Sequence, residues 1–166
     1  YTAAKALENA AVRSLLVIEV MEPVISWHQL GLIPLGDKLA LDSRCSLVHG
    51  DFFKLAGSSG SFDPDNSRRL FHAVLLDIDH SPSHWLDASN SAFYTDSGLT
   101  ALAASLHPGG VFGLWSNDPP DEAFTGLLNE VFSSAKSQRV TFPNPYTEGE
   151  SSSTIYLAYK EAARNN

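Results

Sequence analysis

Residues 71–80 read FHAVLLDIDH, and this stretch decides the fold. Apolar side chains run unbroken through Ala73, Val74, Leu75 and Leu76, then give way to Asp77, Ile78, Asp79 and His80. A short apolar run ending in polar groups predicts a strand over 71–79 covered on both faces, as in a parallel sheet.

Working outward, similar runs alternate with helical patterns. TAAKALEN, residues 2–9, is rich in good helix formers. SLLVIEV, 14–20, reads as a buried strand. Glu22 and Pro23 open a second helix expected to stop near Gly31, since proline in a first turn loses no hydrogen bond. A loop with Pro34 and Gly36 follows, then a brief strand over 46–49 and a helical turn capped by Asp51. Residues 57–70 are expected to form a flexible loop, its first part rich in Ser, Gly, Asp and Pro. Downstream, a helix is expected over 96–106, ended by His107-Pro108-Gly109-Gly110, and a strand over 111–115. A helix from Pro119 to about Ala135 and two closing strands, 139–142 and 154–159, complete the chain.

Alternation of this kind predicts an α/β class: a Rossmann-like, mostly parallel twisted sheet with helices on both faces and a C-terminal antiparallel hairpin. The 166 residues suit a single domain spanning 1–166. The formal charge of −8 argues against nucleic acid, which needs a basic surface, and mildly favours a cationic or neutral small substrate. One cysteine, Cys45, excludes an internal disulfide and fits a reducing, cytoplasmic setting. No apolar run approaches the ~18 residues of a membrane helix. The histidines and the cysteine lack metal-ligand spacing, so no metal is expected; His80 and His84 lie four apart, but Pro82 intervenes. Cys45, Trp27 and His28 are expected to pack rather than react. The chain opens on Tyr1, not methionine, directly in a helical pattern, and is expected to extend upstream.

Ligands of open α/β sheets bind beyond the carboxyl ends of the strands. Those ends carry Glu19, Asp51, the Asp77-Asp79-His80 group, and Ser116-Asn117-Asp118. Glu19 presents two acceptor oxygens, matching the two donors of a ribose diol. Asp51 either accepts an exocyclic amine or caps its helix. If the strand reaches Asp79, alternation puts Asp77 and Asp79 on one side.

The pieces VIEVMEPVISW, HGDFFKL, FHAVLLDIDHSP and SAFYTDSGLTALAASLHPGGVFGLWS, with the closing hairpin, stand in the order seen in spermidine synthases and related class I S-adenosylmethionine-dependent methyltransferases. The chain resembles that family over nearly its whole length. The resemblance implies that Glu19 binds the cofactor's ribose, that Asp51 reads the adenine amine with Phe52 beside the ring, and that Asp77 faces the substrate and the cofactor's amino-acid end. Asp77, Asp79 and His80 would be catalytic. His84, Trp85 and Tyr94 would wall the acceptor pocket.

Two departures accompany the likeness. The family's opening strand and glycine-rich loop are absent, and in the related fold that strand lies between those ending at Glu19 and Asp77. The family's Asp-x-x-Asp pattern, counted from Asp77, places His80 at the second acid; a neutral imidazole serves as a base near pH 7. The implied activity is aminopropyl transfer from decarboxylated S-adenosylmethionine to an amine, or methyl transfer from S-adenosylmethionine to a small nucleophilic acceptor. A non-catalytic binding or scaffold protein that kept the fold is the competing expectation. Family members often dimerise, so a homodimer is among the assemblies the resemblance allows.

Overall fold

In the computed structural model, residues 1–57, 62–146 and 149–163 are described. They gather into two compact units: Tyr1–Leu55 with Phe62–Asp65, and Asn66 onward with Ala56 and Gly57. The expected 57–70 loop lies partly outside the described residues; within it, Phe62 and Asp63 are buried.

The first unit contains α1 (Thr2–Leu7), β1 (Leu15–Glu19), α2 (Glu22–Gln29), α3 (Gly36–Ala40), β2 (Cys45–His49) and the start of α4 (Phe52–Gly57). β1 and β2 pair in parallel, from Leu15 opposite Cys45 to Glu19 opposite His49. Parallel strands require a crossover, and α2 and α3 supply it. Pro23 sits in the first turn of α2, where it was expected. The segment taken for a plain loop holds α3, entered through Leu35 in a left-handed conformation. Leu7, Ile25, Leu39, Phe52 and Phe62 are buried in this unit. Arg44 ties it together: its guanidinium donates to the carbonyls of Val12 and Leu7 and to Asp42.

The second unit contains β3 (Phe71–Leu76), a 3₁₀ segment (Ala88–Tyr94), α5 (Asp96–Ala104), β4 (Leu106–Ser116), α6 (Glu122–Val131), β5 (Ser134–Asn144) and β6 (Gly149–Tyr159). Its sheet runs β3-β4-β6-β5; β3 and β4 are parallel, and β6 is antiparallel to both its neighbours. The fold class is therefore the expected α/β one, Rossmann-like with a closing antiparallel hairpin. Among the described residues, β1 has one hydrogen-bonded neighbour, β2, and β3 has one, β4.

Val74, Leu76, Phe112, Leu114, Tyr156 and Ala158 share one sheet face and are buried. Leu99 and Leu102 of α5 and Phe124 and Leu128 of α6 are buried with them. Rings interlock here: Phe124 meets Tyr156 edge-on at 5.1 Å, and Phe93 meets Phe112 at 6.0 Å. Burying each such side chain stabilises the fold by about 1.5–3 kcal/mol. The opposite face corrects the expectation of burial on both sides: Leu75 is 56% exposed.

Several boundaries also differ. β3 ends at Leu76, not Asp79. α6 starts at Glu122, capped by Asp121, and ends at Val131, so Ser134 and Ala135 belong to β5. β4 starts at Leu106 and takes up His107-Pro108-Gly109-Gly110 as a bulge: Phe71 faces Leu106, but Ala73 faces Val111. A side chain at Gly110 would lie 2.8 Å from the His107 carbonyl, so the bulge needs glycine there. Gly109 N–H donates to Glu161 O at 3.1 Å, and Lys160 N–H donates to Gly110 O at 2.9 Å. The Lys160 ammonium donates to Ala103 O and Leu106 O, both at 2.7 Å, satisfying one carbonyl in the last turn of α5 and one at the start of β4.

Candidate functional site

At the carboxyl end of the first unit's strands stand Glu19 and, two residues beyond its partner His49, Asp51. One Glu19 oxygen accepts from Met21 N–H at 2.8 Å. Asp51 caps α4: its Oδ1 accepts from Phe53 N–H at 3.0 Å and Lys54 N–H at 3.2 Å, and its Oδ2 pairs with Lys54 Nζ at 3.3 Å. The capping alternative for Asp51 is thus present in the structure. Phe52 is buried and stacked on Phe62 at 5.1 Å. Cys45 is half-buried, and burial pushes its thiol up, away from the thiolate form a nucleophile needs.

In the second unit, the loop after β3 is built around Asp79. Because β3 stops at Leu76, alternation does not reach the two acids: Asp77 is exposed, whereas Asp79 is only 5% exposed. Asp79 Oδ1 accepts from Leu86 N–H at 2.8 Å and Asn90 Nδ2 at 2.9 Å, and its Oδ2 accepts from the Tyr94 hydroxyl at 2.9 Å. A buried carboxylate demands such donors, and here they fix the loop on both sides of Asp87. Burial, and then the charge of Asp79, push the Tyr94 phenol far up, so it stays a donor. Trp85 is 40% exposed, and its indole N–H donates to Pro82 O at 2.7 Å.

The loop's exposed edge carries the histidines. His84 Nδ1 lies 2.6 Å from Asp118 Oδ2 and 3.2 Å from Ser81 Oγ. Hydrogen bonds from Ser81, and then from His84, hold the Asp118 carboxyl below its usual range. His80 Nδ1 faces the Asn117 side-chain amide at 3.4 Å, and His80 O accepts from Asn117 N–H at 2.8 Å. The structure therefore brings His80 and His84 together with Asn117 and Asp118, the two residues that follow β4. Asp118 was visible only as a polar strand end. Its pairing with His84 follows from β3 and β4 being parallel neighbours, so that the segments leaving both strands emerge side by side.

Among the described residues, no group of three or more His, Cys, Asp or Glu side chains is placed to hold a metal ion. Among them, too, no helix is long and apolar enough to cross a membrane.

No family model and no curated sequence matches the chain. Solved structures do. Spermidine synthase from Thermotoga maritima superposes with a TM-score of 0.67 at 17% identity, covering 96% of this chain and 50% of that one. A spermidine synthase in complex with the transition state analogue AdoDATO gives 0.63 at 16% identity, covering 98% and 50%. Human methyltransferase-like protein 13, in complex with SAH, gives 0.55 at 17% identity, covering 99% and 81%. The chain spans about half the length of the spermidine synthases it matches. At these identities the likeness concerns the backbone, and at that level the resemblance read from the sequence holds: the chain has the fold shared by spermidine synthases and class I S-adenosylmethionine-dependent methyltransferases.

Proposed function

We propose that this protein is a transferase that uses an S-adenosylmethionine-type sulfonium as the donor substrate. The observation that carries the proposal is the fall of Glu19 and Asp51 at the matched carboxyl ends of a parallel strand pair, in a fold whose solved relatives include a complex with SAH. Glu19 fits the role of ribose acceptor: one oxygen is bound to Met21 N–H, and the other has no bonded partner among the described residues. The acceptor substrate is a small nucleophile, with an amine favoured by the exposed Asp77 and the net charge of −8. Aminopropyl transfer from decarboxylated S-adenosylmethionine is the first choice, by likeness to the spermidine synthases. Methyl transfer is the second. The single cysteine suits the cytoplasm.

One observation favours a non-catalytic binding role instead. Asp51 has both oxygens engaged within its own helix, and the Phe52 ring is packed against Phe62, so neither residue stands idle for adenine.

Calorimetry on the full-length protein separates these readings. The transferase predicts binding of S-adenosylmethionine, its decarboxylated form or methylthioadenosine, weakened about 10-fold or more by Glu19→Gln, since the acceptor loses its charge and one of its two oxygens is replaced by an amide donor. Absence of heat with all three ligands sinks it.

A further inference from the structure

We propose that His72 and His107 form a two-imidazole site for a divalent cation of the zinc and copper class. The proposal is independent of the transferase reading. Both residues belong to the second unit, at the amino ends of β3 and β4, whereas Asp79, His84 and Asp118 follow the carboxyl ends of those strands.

Strand pairing brings the two histidines together. Phe71 faces Leu106 in the parallel ladder, so the residues that follow them, His72 and His107, stand side by side. Their ring centroids are 4.4 Å apart, with the planes tilted by 31°. His72 is exposed and His107 is half-buried, so solutes reach the pair. The expectation of no metal rested on ligand spacing along the chain, and a pair made by two parallel strands leaves no such spacing.

The ring nitrogens of this pair are uncommitted. Among the described residues, neither imidazole has a hydrogen-bond partner. By contrast, His49 meets Val20 O, His80 meets the Asn117 amide, and His84 meets the Asp118 carboxylate. His28 Nδ1 also lacks a partner, but that atom is closed off from solvent.

A neutral imidazole offers one nitrogen lone pair in its ring plane and is the commonest side-chain ligand for metals. Zinc–nitrogen bonds of about 2.0–2.1 Å at tetrahedral angles set two ligating nitrogens roughly 3.3 Å apart. Rings centred 4.4 Å apart leave that separation within reach of a ring turn. The stacked pose aims the lone pairs side by side, so closing on an ion requires rotation about χ2. That torsion is broad and soft, and the exposed His72 ring has room to turn.

The donor set selects the ion. Imidazoles suit zinc, copper and nickel, whereas magnesium and calcium demand oxygen ligands. No third His, Cys, Asp or Glu among the described residues joins the pair, so water completes the coordination and the ion is exchangeable. A bound ion spans the irregular part of the β3–β4 ladder, where the register shifts between Phe71 and Ala73. By linkage it stabilises the folded unit.

The test uses the untagged full-length protein. In calorimetric titration with zinc, His72→Gln and His107→Gln are each expected to lower affinity about 10-fold or more, at least the cost of losing an outer-shell partner. His84→Gln should leave zinc affinity unchanged, and excess magnesium should not compete. A second readout needs no variant: substoichiometric copper should broaden the ring signals of His72 and His107 before those of the other histidines. That pattern, with zinc affinity lost in both variants, supports the site. Copper broadening of His80 and His84 instead, zinc affinity unchanged by His72→Gln and His107→Gln, or no zinc binding by the wild-type protein overturns it.

Discussion

The Tyr94 hydroxyl donates a 2.9 Å hydrogen bond to the buried carboxylate of Asp79, across fifteen residues of loop. This bond, with those from Leu86 and Asn90, holds the whole segment after β3. Tyr94→Phe should cost about 1.5–3 kcal/mol, the range for a hydrogen bond to a charged group. Asp79→Ala should cost about 3 kcal/mol or more, because it strands buried donors as well. Urea unfolding followed by circular dichroism measures both, and an unchanged midpoint for Tyr94→Phe would contradict the described network.

Gly98→Ala is the second expected lesion. Gly98 lies in α5, where alanine is ordinarily better than glycine by about 1 kcal/mol. Here the added carbon would lie 2.4 Å from Ala92 O and 2.5 Å from Phe93 O. Those are backbone atoms and no rotamer change moves them, so overpacking by about 1–3 kcal/mol outweighs the helix gain. A lower melting temperature should result, with looser protection of the amides of Phe93 and Tyr94 in hydrogen exchange. A stabilised variant would refute the close approach.

Asp121→Ala tests the start of α6. The Asp121 side chain accepts from Phe124 N–H at 3.0 Å, and Asp121 N–H donates to the Tyr156 hydroxyl at 2.8 Å. The substitution removes only the first bond, at about 1 kcal/mol. Tyr156→Phe removes only the second, at a similar cost. Their effects are expected to combine in the double variant with a coupling that a thermodynamic cycle resolves, since both bonds serve Asp121.

The pH dependence of stability has two ends with opposite signs. Asp118 has a lowered folded pKa, so its contribution is present above the unfolded value of about 3.9 and is lost as the pH falls through the folded value. Asp118→Asn should flatten the acid limb there. Tyr94 has a raised folded pKa. Its contribution is complete below the unfolded value of about 10 and is lost as the pH climbs above it. Tyr94→Phe should flatten the alkaline limb and leave the acid one alone. Melting temperatures across pH 2–5 and 9–12 check both limbs.

Periodicity and strand ends made most of the architecture legible. The unbroken run in FHAVLLDIDH located β3, and Glu22-Pro23 located the start of α2. What escaped depended on distant geometry. Pro34 and Gly36 concealed α3, whose entry requires Leu35 in a left-handed conformation that no local signal announces. Leu75 read as buried because an apolar side chain says nothing about which sheet face is covered. Asp77 and Asp79 looked alike in sequence, yet the end of β3 at Leu76 separates them into an exposed and a buried carboxylate. His84 and Asp118 stand 34 residues apart, so their contact could be seen only once β3 and β4 were known to be parallel neighbours.

The bulge at His107–Gly110 has a mechanical consequence. Through Gly109, Gly110 and the Lys160 ammonium, the residues just past β6 fasten the start of β4 and the last turn of α5 at once. Exopeptidase trimming back to Tyr159 would therefore unlatch a helix and a strand far away in sequence, and fraying of the unit should begin at that clasp.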